Sequence, residues 1–352
     1  MSESNTTTMG LDLGDRWIVS CSVDKAGETV ERSRVRTTPS AVRDRLGGIA
    51  PCRVVLEVGT HSPWVSRLAQ ECGHEVIVAN PRRVRLITQN DSKSDEVDAE
   101  LLARLGRLDP SLLWPVKHRG ERAQRDLAGL RARDGLVRSR ALLINQARGL
   151  AKSLGWRLPS SSTPAFVKKV RAMFPEEIFL GFDALLRTIE GLTTEIRAMD
   201  RELERLSHEA YPETEVLRQI SGVGALTSLC FVLTLEDPHR FENSRKVGAF
   251  LGLRPRQRDS GKISPQLSIT KAGDPMPRRL LVQSAHYILG PFGPDTDLRR
   301  WGLRLAERGG KAAKKRAAVA VARKLAVLLH RLWVTQEDYR PLSKQTESAT
   351  MA

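Results

Sequence analysis

Four acidic residues in the N-terminal third of the chain have the types and positions to bind a metal ion. Asp12 lies in the short apolar run GLDLG, and Glu57 closes the apolar run RVVLE. Asp95 and Asp98 are three residues apart in SDEVDAELLARL, a spacing that places both carboxylates on one face of a helix. Carboxylate oxygens are ligands of hard divalent cations. Two such ions can activate an attacking oxygen and neutralise a leaving one in phosphodiester chemistry.

The local sequence around each acid allows a structural explanation as well. Asp12 sits between Leu11 and Leu13 on a predicted first strand, where burial of a carboxylate is costly unless it is paired or bound to a cation. Glu57 closes a predicted strand, at a sheet edge where α/β folds gather ligands, but it could equally form a salt bridge. Asp95 is also typical of a helix N-terminus, and Asp98 of a helix surface. Together the four predict one oxygen-ligand site in a small α/β unit.

The elements that must position these acids alternate between short strands and helices over residues 8–116. The runs WIVSCSVD, ETVERSRVRTT, RVVLEV and HEVIVAN have the composition of strands, and SPWVSRLAQECG and SDEVDAELLARLGRL have that of helices. A hairpin comes first and strand-helix alternation follows, which is the order of an α/β domain.

Residues 117–213 have a helical pattern. Apolar residues there step by four and three, which predicts a heptad seam at Leu185, Ile189, Leu192, Ile196, Met199, Leu203 and Leu206. An earlier segment has its own stripe through Leu130, Val137 and Ile144, so the two predict a coiled coil, either as an antiparallel hairpin or across a dimer. A helical connector packed on a globular body is the alternative. The segment LPSSSTPAF between them predicts a turn or link.

Residues 214–340 form a third predicted domain, which is mainly helical and followed by a disordered tail at 341–352. In ISGVGALTS, Gly222 and Gly224 frame one apolar residue between helical segments. This pattern resembles a helix-hairpin-helix, whose backbone N–H groups and helix N-terminus bind phosphate without reading bases. A glycine helix cap before a core helix is the other explanation.

A basic segment follows this motif and surrounds the tripeptide DSG. We expect nucleic-acid contacts from its cations and from two lysines of the last helix: Arg254, Arg256, Arg258, Lys262, Lys271, Arg278, Arg279, Lys314 and Lys315. A serine hydroxyl in such a loop could attack phosphorus if it were activated and if cations stabilised the transition state. The residues alone nevertheless favour a turn role for Ser260.

The composition narrows the classes of partner. The 352 residues predict two or three domains, and 57 Lys and Arg against 41 Asp and Glu give a net charge of +16, which attracts polyanions, nucleic acid first. Without an apolar run of roughly 18 residues or a signal pattern, we expect no membrane partner and a cytoplasmic location.

The four cysteines lie among apolar neighbours, which predicts reduced core residues. No GxxxxGK[ST] or GxGxxG loop occurs, which argues against a sugar kinase or ATPase.

The order of these motifs closely resembles that of the DEDD transposases of insertion sequences. The segments that carry the resemblance are GLDLGDR, LEVGT, KSDEVDAELLA, ISGVGALTS, FLGLRPRQRDSG and ITKAGDPMPRRLLVQSA. They span about residues 8–335. Relatives of this family include pilin-gene invertases.

The resemblance implies more than the residues do. It implies that Asp12, Glu57, Asp95 and Asp98 bind Mg²⁺, or Mn²⁺ in its place, on an RNase H-like (RuvC-like) sheet, and that Ser260 forms a covalent phosphoserine link to cut DNA. It also implies homo-oligomers, dimeric or tetrameric, in which one subunit's acidic domain meets another's serine domain. The DNA partners would be the element ends and a target, a noncoding bridge RNA would guide the reaction, and the protein would act at the bacterial nucleoid.

One departure from the family pattern follows Glu57. Many relatives continue the glutamate with Ala-Thr-Gly and Tyr, whereas here VGTHSPW follows, so His61 or Trp64 takes another role. The four acids and Ser260 are all present. Besides a recombinase, a junction nuclease that uses metal alone and a non-catalytic nucleic-acid-binding protein stay open as alternatives.

Overall fold

The structure, a computed structural model, describes residues 7–82, 94–173, 179–258, 267–307 and 309–342. It divides into two compact units, Met1–Arg119 and Gly120–Ala352. The division lies close to the predicted boundary between residues 116 and 117. The predicted domain boundaries, between residues 116 and 117 and between residues 213 and 214, stay predictions. None of the helices in the described ranges is long and apolar enough to cross a membrane.

The first unit is built on a five-stranded sheet with the order β3-β2-β1-β4-β5. The strands β1 to β3 pair antiparallel, and β1, β4 and β5 run parallel. Their bounds are Thr8–Leu13, Trp17–Val23, Thr29–Arg36, Arg53–Glu57 and Glu75–Ala79. The strands lie where the sequence predicts them. This mixed sheet is compatible with an RNase H-like domain.

Helices cover both faces of the sheet because side chains alternate along each strand. Helices α1 (Pro39–Gly47) and α2 (Ser62–Glu71) pack on the face that carries Met9, Leu11 and Leu56. Helix α3 (Asp95–Leu108) packs on the opposite face, above Gly10, Val55 and Cys21. The sequence pattern did not predict α1, which begins after the N-cap Thr38 with Pro39 in its first turn.

The second unit begins with two long helices that pack antiparallel. Their bounds are α4 (Glu121–Ser153) and α6 (Phe179–Ala210), with the short α5 (Phe166–Arg171) between them. Leu130 and Leu203 share one core, and Arg133 Nε donates to Asp200 Oδ1 at 2.8 Å. At the other end of the pair, Ala147 and Phe182 share a second core. The two predicted stripes therefore meet within one chain, and coiled-coil packing stays a prediction.

The buried stripe of α6 differs from the predicted seam at three leucines: Leu186 is buried in place of the half-buried Leu185, and polar residues replace the other two. Thr193 and Ser207 are buried, whereas the neighbouring Leu192 and Leu206 are half-buried. Both hydroxyls are satisfied, since Thr193 Oγ1 donates to Ile189 O at 2.7 Å and Ser207 Oγ donates to Thr214 Oγ1 at 2.9 Å. Hydrogen bonding thus removes the cost of burying a polar group in the seam.

The rest of the second unit is a helical bundle around the apolar α8. Its helices are α7 (Thr214–Arg218), α8 (Ala225–Leu235), α9 (Arg245–Phe250), α10 (Pro275–Leu289), α11 (Asp297–Ala306) and α12 (Gly310–Thr335). Leu229, Phe231 and Leu325 are nearly inaccessible in the shared core. Cys230 is buried there, and Cys21 and Cys52 are buried in the first unit, as predicted, whereas Cys72 is half-buried. Burial raises the pKa of the Cys21 and Cys52 thiols, so both stay protonated near neutral pH.

Candidate active site and nucleic-acid surfaces

Asp12 and Glu57 lie at the carboxyl ends of neighbouring parallel strands. Leu11 of β1 is registered against Leu56 of β4, so the next residues along the two strands are Asp12 and Glu57. Alternation places both side chains on the face that α3 covers, because Gly10 and Val55, two residues earlier, contact that helix. Both acids are half-buried. The sheet thus brings two of the predicted acids to one edge and one face.

Helix α3 brings the other two acids toward the same end of β1. The helix lies directly on the strand at Gly10, where an added Cβ would lie 2.0 Å from Ala99 O and 2.6 Å from Ala103 N. Ser94 caps the helix by accepting from Val97 N at 3.3 Å, so its first turn carries both Asp95 and Asp98. Only glycine at position 10 permits this close approach.

The side chain of Asp98 is the most unusual of the four. It is 7% exposed, and within the described ranges its Oδ1 is buried and accepts no hydrogen bond. A buried carboxylate oxygen without a donor is destabilising unless a cation or another donor approaches it. Asp95, three residues earlier in the same turn, is exposed. The hard oxygen donors of these residues and the unsatisfied Oδ1 fit a divalent cation such as Mg²⁺.

The carboxylates do not form a ready-made cage in this conformation. Within the described part of the chain, no group of three or more His, Cys, Asp or Glu side chains is arranged to hold a metal ion. The structure shows that Asp12 and Glu57 share one face of the sheet and that the acidic turn of α3 lies toward the same end of β1. Joint metal binding by Asp12, Glu57, Asp95 and Asp98 stays a prediction.

The segment after Glu57, which departs from the family pattern, forms a small polar contact. Trp64 Nε1 donates to His61 Nδ1 at 3.1 Å, and His61 Nε2 lies 3.3 Å from Asp15 Oδ1. Because Nδ1 accepts, the ring hydrogen lies on Nε2 and points at the Asp15 carboxylate. His61 is thereby oriented next to the start of α2, and Trp64 packs against the core of the sheet.

The serine predicted as nucleophile lies outside the described residues, as does Lys262, because both fall within 259–266. The chain on either side is paired. Pro255 and Ile269 form an antiparallel bridge, and Arg256 N donates to Ser268 O at 2.9 Å. Arg254, Arg256 and Arg258 are exposed at the base of this segment.

Three further cations of this region differ in what they contact. Arg278 Nη1 donates to Leu251 O at 2.9 Å and to Ala272 O at 2.8 Å, so it supports the backbone that leads into the segment. Arg279 forms an ion pair with Asp134 of α4. Lys271 is exposed and has a positive φ of 54°. A nucleic-acid role for these three stays a prediction.

The two glycines of the predicted helix-hairpin-helix have different roles. Gly222 has a φ of +92°, and an added Cβ would lie 2.8 Å from Tyr287 Cδ1. Gly224 is the N-cap of α8, and an added Cβ would meet nothing within 4 Å. The turn between α7 and α8 thus requires glycine at position 222. Phosphate binding by this turn stays a prediction.

A groove of about 780 Å³ lies beside the basic helix α12. Its apolar walls include Leu253, Ile269, Trp301 and Val319. Lys315, a predicted nucleic-acid contact, lines it with four other cations: Arg245, Arg316, Arg323 and Lys324. Lys314 is exposed on the same helix. The surface of α12 is therefore strongly cationic, as its sequence predicts.

Sequence reasoning missed a row of arginines in the first unit. Arg32, Arg34 and Arg36 alternate along the edge strand β3, and Trp17 of β2 is registered against Arg36. The guanidinium carbons of Arg34 and Arg36 lie 4.9 and 4.2 Å from the centre of the Trp17 ring. The alternation in ERSRVR was the available signal, since a period of two places these side chains on one face of a strand.

Comparison with known proteins identifies the family. The family model described as "Transposase IS116/IS110/IS902 family" matches residues 214–296. A second model, for the DEDD transposases of IS110 elements, matches residues 9–154. The two models therefore match the segment with the four acids and much of the basic C-terminal region separately.

Full-length relatives agree with both matches. The transposase of element IS1328 from Yersinia enterocolitica is 33% identical over 293 residues, covering 80% of this chain and 83% of the relative. The transposase of element IS1111A from Coxiella burnetii is 29% identical over 341 residues, covering 94% and 91%. A pilin gene-inverting protein of Moraxella bovis is 22% identical over 276 residues, covering 77% and 76%. The chain belongs to the IS116/IS110/IS902 family of transposases, which are enzymes that cut and join DNA.

Proposed function

We propose that this transposase cuts and rejoins DNA through a covalent serine-DNA intermediate formed at Ser260, with Mg²⁺ held by Asp12, Glu57, Asp95 and Asp98. The observation that supports the proposal is that Asp12 and Glu57 follow the registered pair Leu11 and Leu56 at the carboxyl ends of β1 and β4, with a buried and unsatisfied oxygen on Asp98 of the covering helix. When bound, the metal would neutralise charge on the phosphate and on the departing oxygen. Mn²⁺ is the alternative ion.

The chemical step assigned to Ser260 is a transesterification. Its hydroxyl loses a proton as Oγ forms a bond to phosphorus, and the bond between phosphorus and the departing sugar oxygen breaks as that oxygen takes up a proton. Because one phosphodiester bond replaces another, the free energy of the broken DNA bond is conserved in the serine-DNA bond and is available for rejoining. The exposed Arg254, Arg256 and Arg258 lie in the chain just before Ser260 and would stabilise the negative charge on phosphorus.

We assign the partners by charge and by family. The net charge of +16 and the cations of α12 favour binding of nucleic acids. The DNA partners would be the element ends and the target. A noncoding bridge RNA would select these DNA sites by base pairing. The working form would be a dimer or tetramer in which one subunit's acids serve another subunit's Ser260. The protein would act at the bacterial nucleoid, in the cytoplasm.

Detection of the covalent adduct tests the proposed chemistry. Full-length protein is incubated with Mg²⁺ and labelled DNA spanning the element ends, denatured, and separated by size. We expect labelled protein for the wild type and for Ser264→Ala, a control serine in the same segment, and none for Ser260→Ala or Asp12→Asn. Cleavage by Ser260→Ala would instead identify a nuclease that uses metal alone. Equal behaviour of Asp12→Asn, Ser260→Ala and the wild type would indicate a non-catalytic binding protein.

Two further measurements address the partners. Mixing Asp12→Asn with Ser260→Ala protein should restore adduct formation if the site is shared between subunits, and should not if each subunit works alone. RNA that copurifies with the protein should contain loops complementary to the element ends and to the target. Loss of adduct after ribonuclease treatment would support guidance, and unchanged adduct formation would contradict it.

A further inference from the structure

The edge strand β3 carries cations in line with the predicted metal ligands. Arg34 is registered against Val19 of β2, and Val19 is registered against Asp12 of β1. Directly registered residues of antiparallel strands point to the same face of a sheet. Arg34 therefore lies on the same face as Asp12 and in the same row across the sheet. Since adjacent strands are about 4.8 Å apart, the backbones of these two residues are roughly 10 Å apart.

The charges of Arg34 and Arg36 are not neutralised by acids. Within the described ranges neither guanidinium has a carboxylate partner, and both lie against the ring of Trp17. The neighbouring Arg32 differs, because it forms an ion pair with Glu100 at 2.5 Å. Two like charges beside one ring repel each other, and an anion between them would relieve that repulsion. Both guanidinium groups can therefore bind an anion without breaking an ion pair.

An open cleft extends from Arg34 to the acidic turn of α3. It has a volume of about 610 Å³ and is lined by Val19, Arg32 and Arg34 on the sheet side and by Ser94 and Asp95 on the helix side. A chain of phosphates could follow the cleft from Arg34 toward Asp95. The arginine end of the cleft would attract the phosphates. The acidic end would repel them unless a cation were bound there.

We propose that Arg34 and Arg36, held by Trp17, bind the backbone phosphates of the DNA strand that is being cut. The inference rests on the proposed function, because it takes the acids as the place of the scissile phosphate. At the axial rise of about 3.4 Å per nucleotide, a separation of roughly 10 Å corresponds to about three nucleotides. Phosphate contacts of this kind fix the register of the strand and carry no base preference.

Salt-dependent DNA binding gives the first test. Full-length Arg34→Gln/Arg36→Gln protein and the control Arg43→Gln are compared with the wild type on a duplex of the element end. Arg43 is an exposed arginine of α1, on the other face of the sheet, and is paired with Glu71. We expect the double variant to bind about tenfold to a hundredfold more weakly, and its slope of log K against log salt to fall by about 2. The control should match the wild type, and the melting temperature of each variant checks its folding.

Neutral phosphates give the second test, which a merely structural role would not satisfy. A set of duplexes carries one methylphosphonate each, scanned along the strand. Wild-type binding should weaken at a position about three nucleotides from the cleavage point, and the double variant should be insensitive at that same position. Equal sensitivity of both proteins at every position would overturn the proposal. So would loss of RNA binding alone, because it would assign the arginines to the guide.

The outcomes separate this inference from the proposed function. Asp12→Asn, measured beside the arginine variant, should lose adduct formation and keep DNA binding. Adduct formation by Asp12→Asn would refute the proposed metal site while leaving the binding data intact. Wild-type affinity and salt slope in the arginine variant, with adduct lost in Asp12→Asn, would refute only the role of Arg34 and Arg36.

Discussion

Replacement of Asp98 by asparagine should stabilise the metal-free protein and abolish DNA cutting. The carboxylate is 7% exposed, and its buried Oδ1 has no hydrogen-bond donor within the described ranges. Leaving such a group unsatisfied costs about 1 to 3 kcal/mol, and more for a charged one. Asp98→Asn removes the charge but keeps an unsatisfied oxygen, so only the extra cost of the charge is relieved, and the free energy of unfolding in EDTA should rise by about 1 kcal/mol. For a unit of this size that corresponds to a rise of about 4 °C in melting temperature per kcal/mol.

Added Mg²⁺ should make the wild type more stable than Asp98→Asn, which reverses their order of stability in EDTA. A ligand at one hundred times its dissociation constant stabilises the folded state by about 2.7 kcal/mol. The wild type should gain that amount on addition of Mg²⁺, and Asp98→Asn should gain little. Urea unfolding with EDTA and with Mg²⁺ measures both effects. The adduct assay should show the loss of cutting.

Asp95→Asn is the matched control, since Asp95 lies on the same turn and is exposed. Its unfolding free energy in EDTA should stay within about 0.5 kcal/mol of the wild type. A less stable Asp98→Asn in EDTA would show that the Asp98 carboxylate is satisfied without metal. An unchanged Mg²⁺ response in Asp98→Asn would remove Asp98 from the ligand set. Either result would refute the reasoning about this site.

Three other perturbations test the parts of the fold that surround the sites. Gly10→Ala places a Cβ 2.0 Å from the backbone of α3 and should cost about 2 to 3 kcal/mol in urea unfolding, whereas Gly47→Ala, with open space around it, should be nearly neutral. Gly222→Ser should cost about 1 to 3 kcal/mol because of its φ of +92°, and Gly224→Ser should be tolerated as a helix N-cap. Burial lowers the pKa of His330, so the unfolded state binds its proton first as the pH falls. As the pH falls below about 6.5, the free energy of unfolding should therefore decrease by up to about 1.4 kcal/mol per pH unit, and His330→Gln should reduce that decrease.

The strands could be predicted because their sequence signal is local. Apolar runs such as RVVLE and alternating runs such as TVERSRVR mark strands by composition and by a period of two. Helix α1 has little apolar periodicity, and its signal was the pair Thr38 and Pro39, a helix N-cap followed by proline at the first helical position. That signal lies outside a hydropathy pattern, which is why the helix was not predicted.

The details that depend on tertiary contacts could not be predicted from hydropathy. The seam of α6 includes Thr193, whose hydroxyl accepts from Arg140 Nη1 of α4 at 3.3 Å, and Ser207, whose hydroxyl donates to Thr214 Oγ1 of α7 at 2.9 Å. The row from Arg34 through Val19 to Asp12 depends on the order and register of three strands, which residue types do not specify. The acids could be predicted as candidates because carboxylates in apolar runs are unusual, but the unsatisfied oxygen of Asp98 is a property of the folded chain.

Gly10 determines how closely α3 packs on β1, and so it affects the positions of the proposed metal ligands. Because position 10 has no Cβ, α3 lies on the backbone of β1, and the acidic first turn of the helix comes to the end of the strand that carries Asp12. Any larger residue would lift the helix and separate Asp98 from the sheet without changing a single acid. Loss of cutting in Gly10→Ala, with all four acids intact, would therefore indicate that the chemistry depends on the distance between helix and strand.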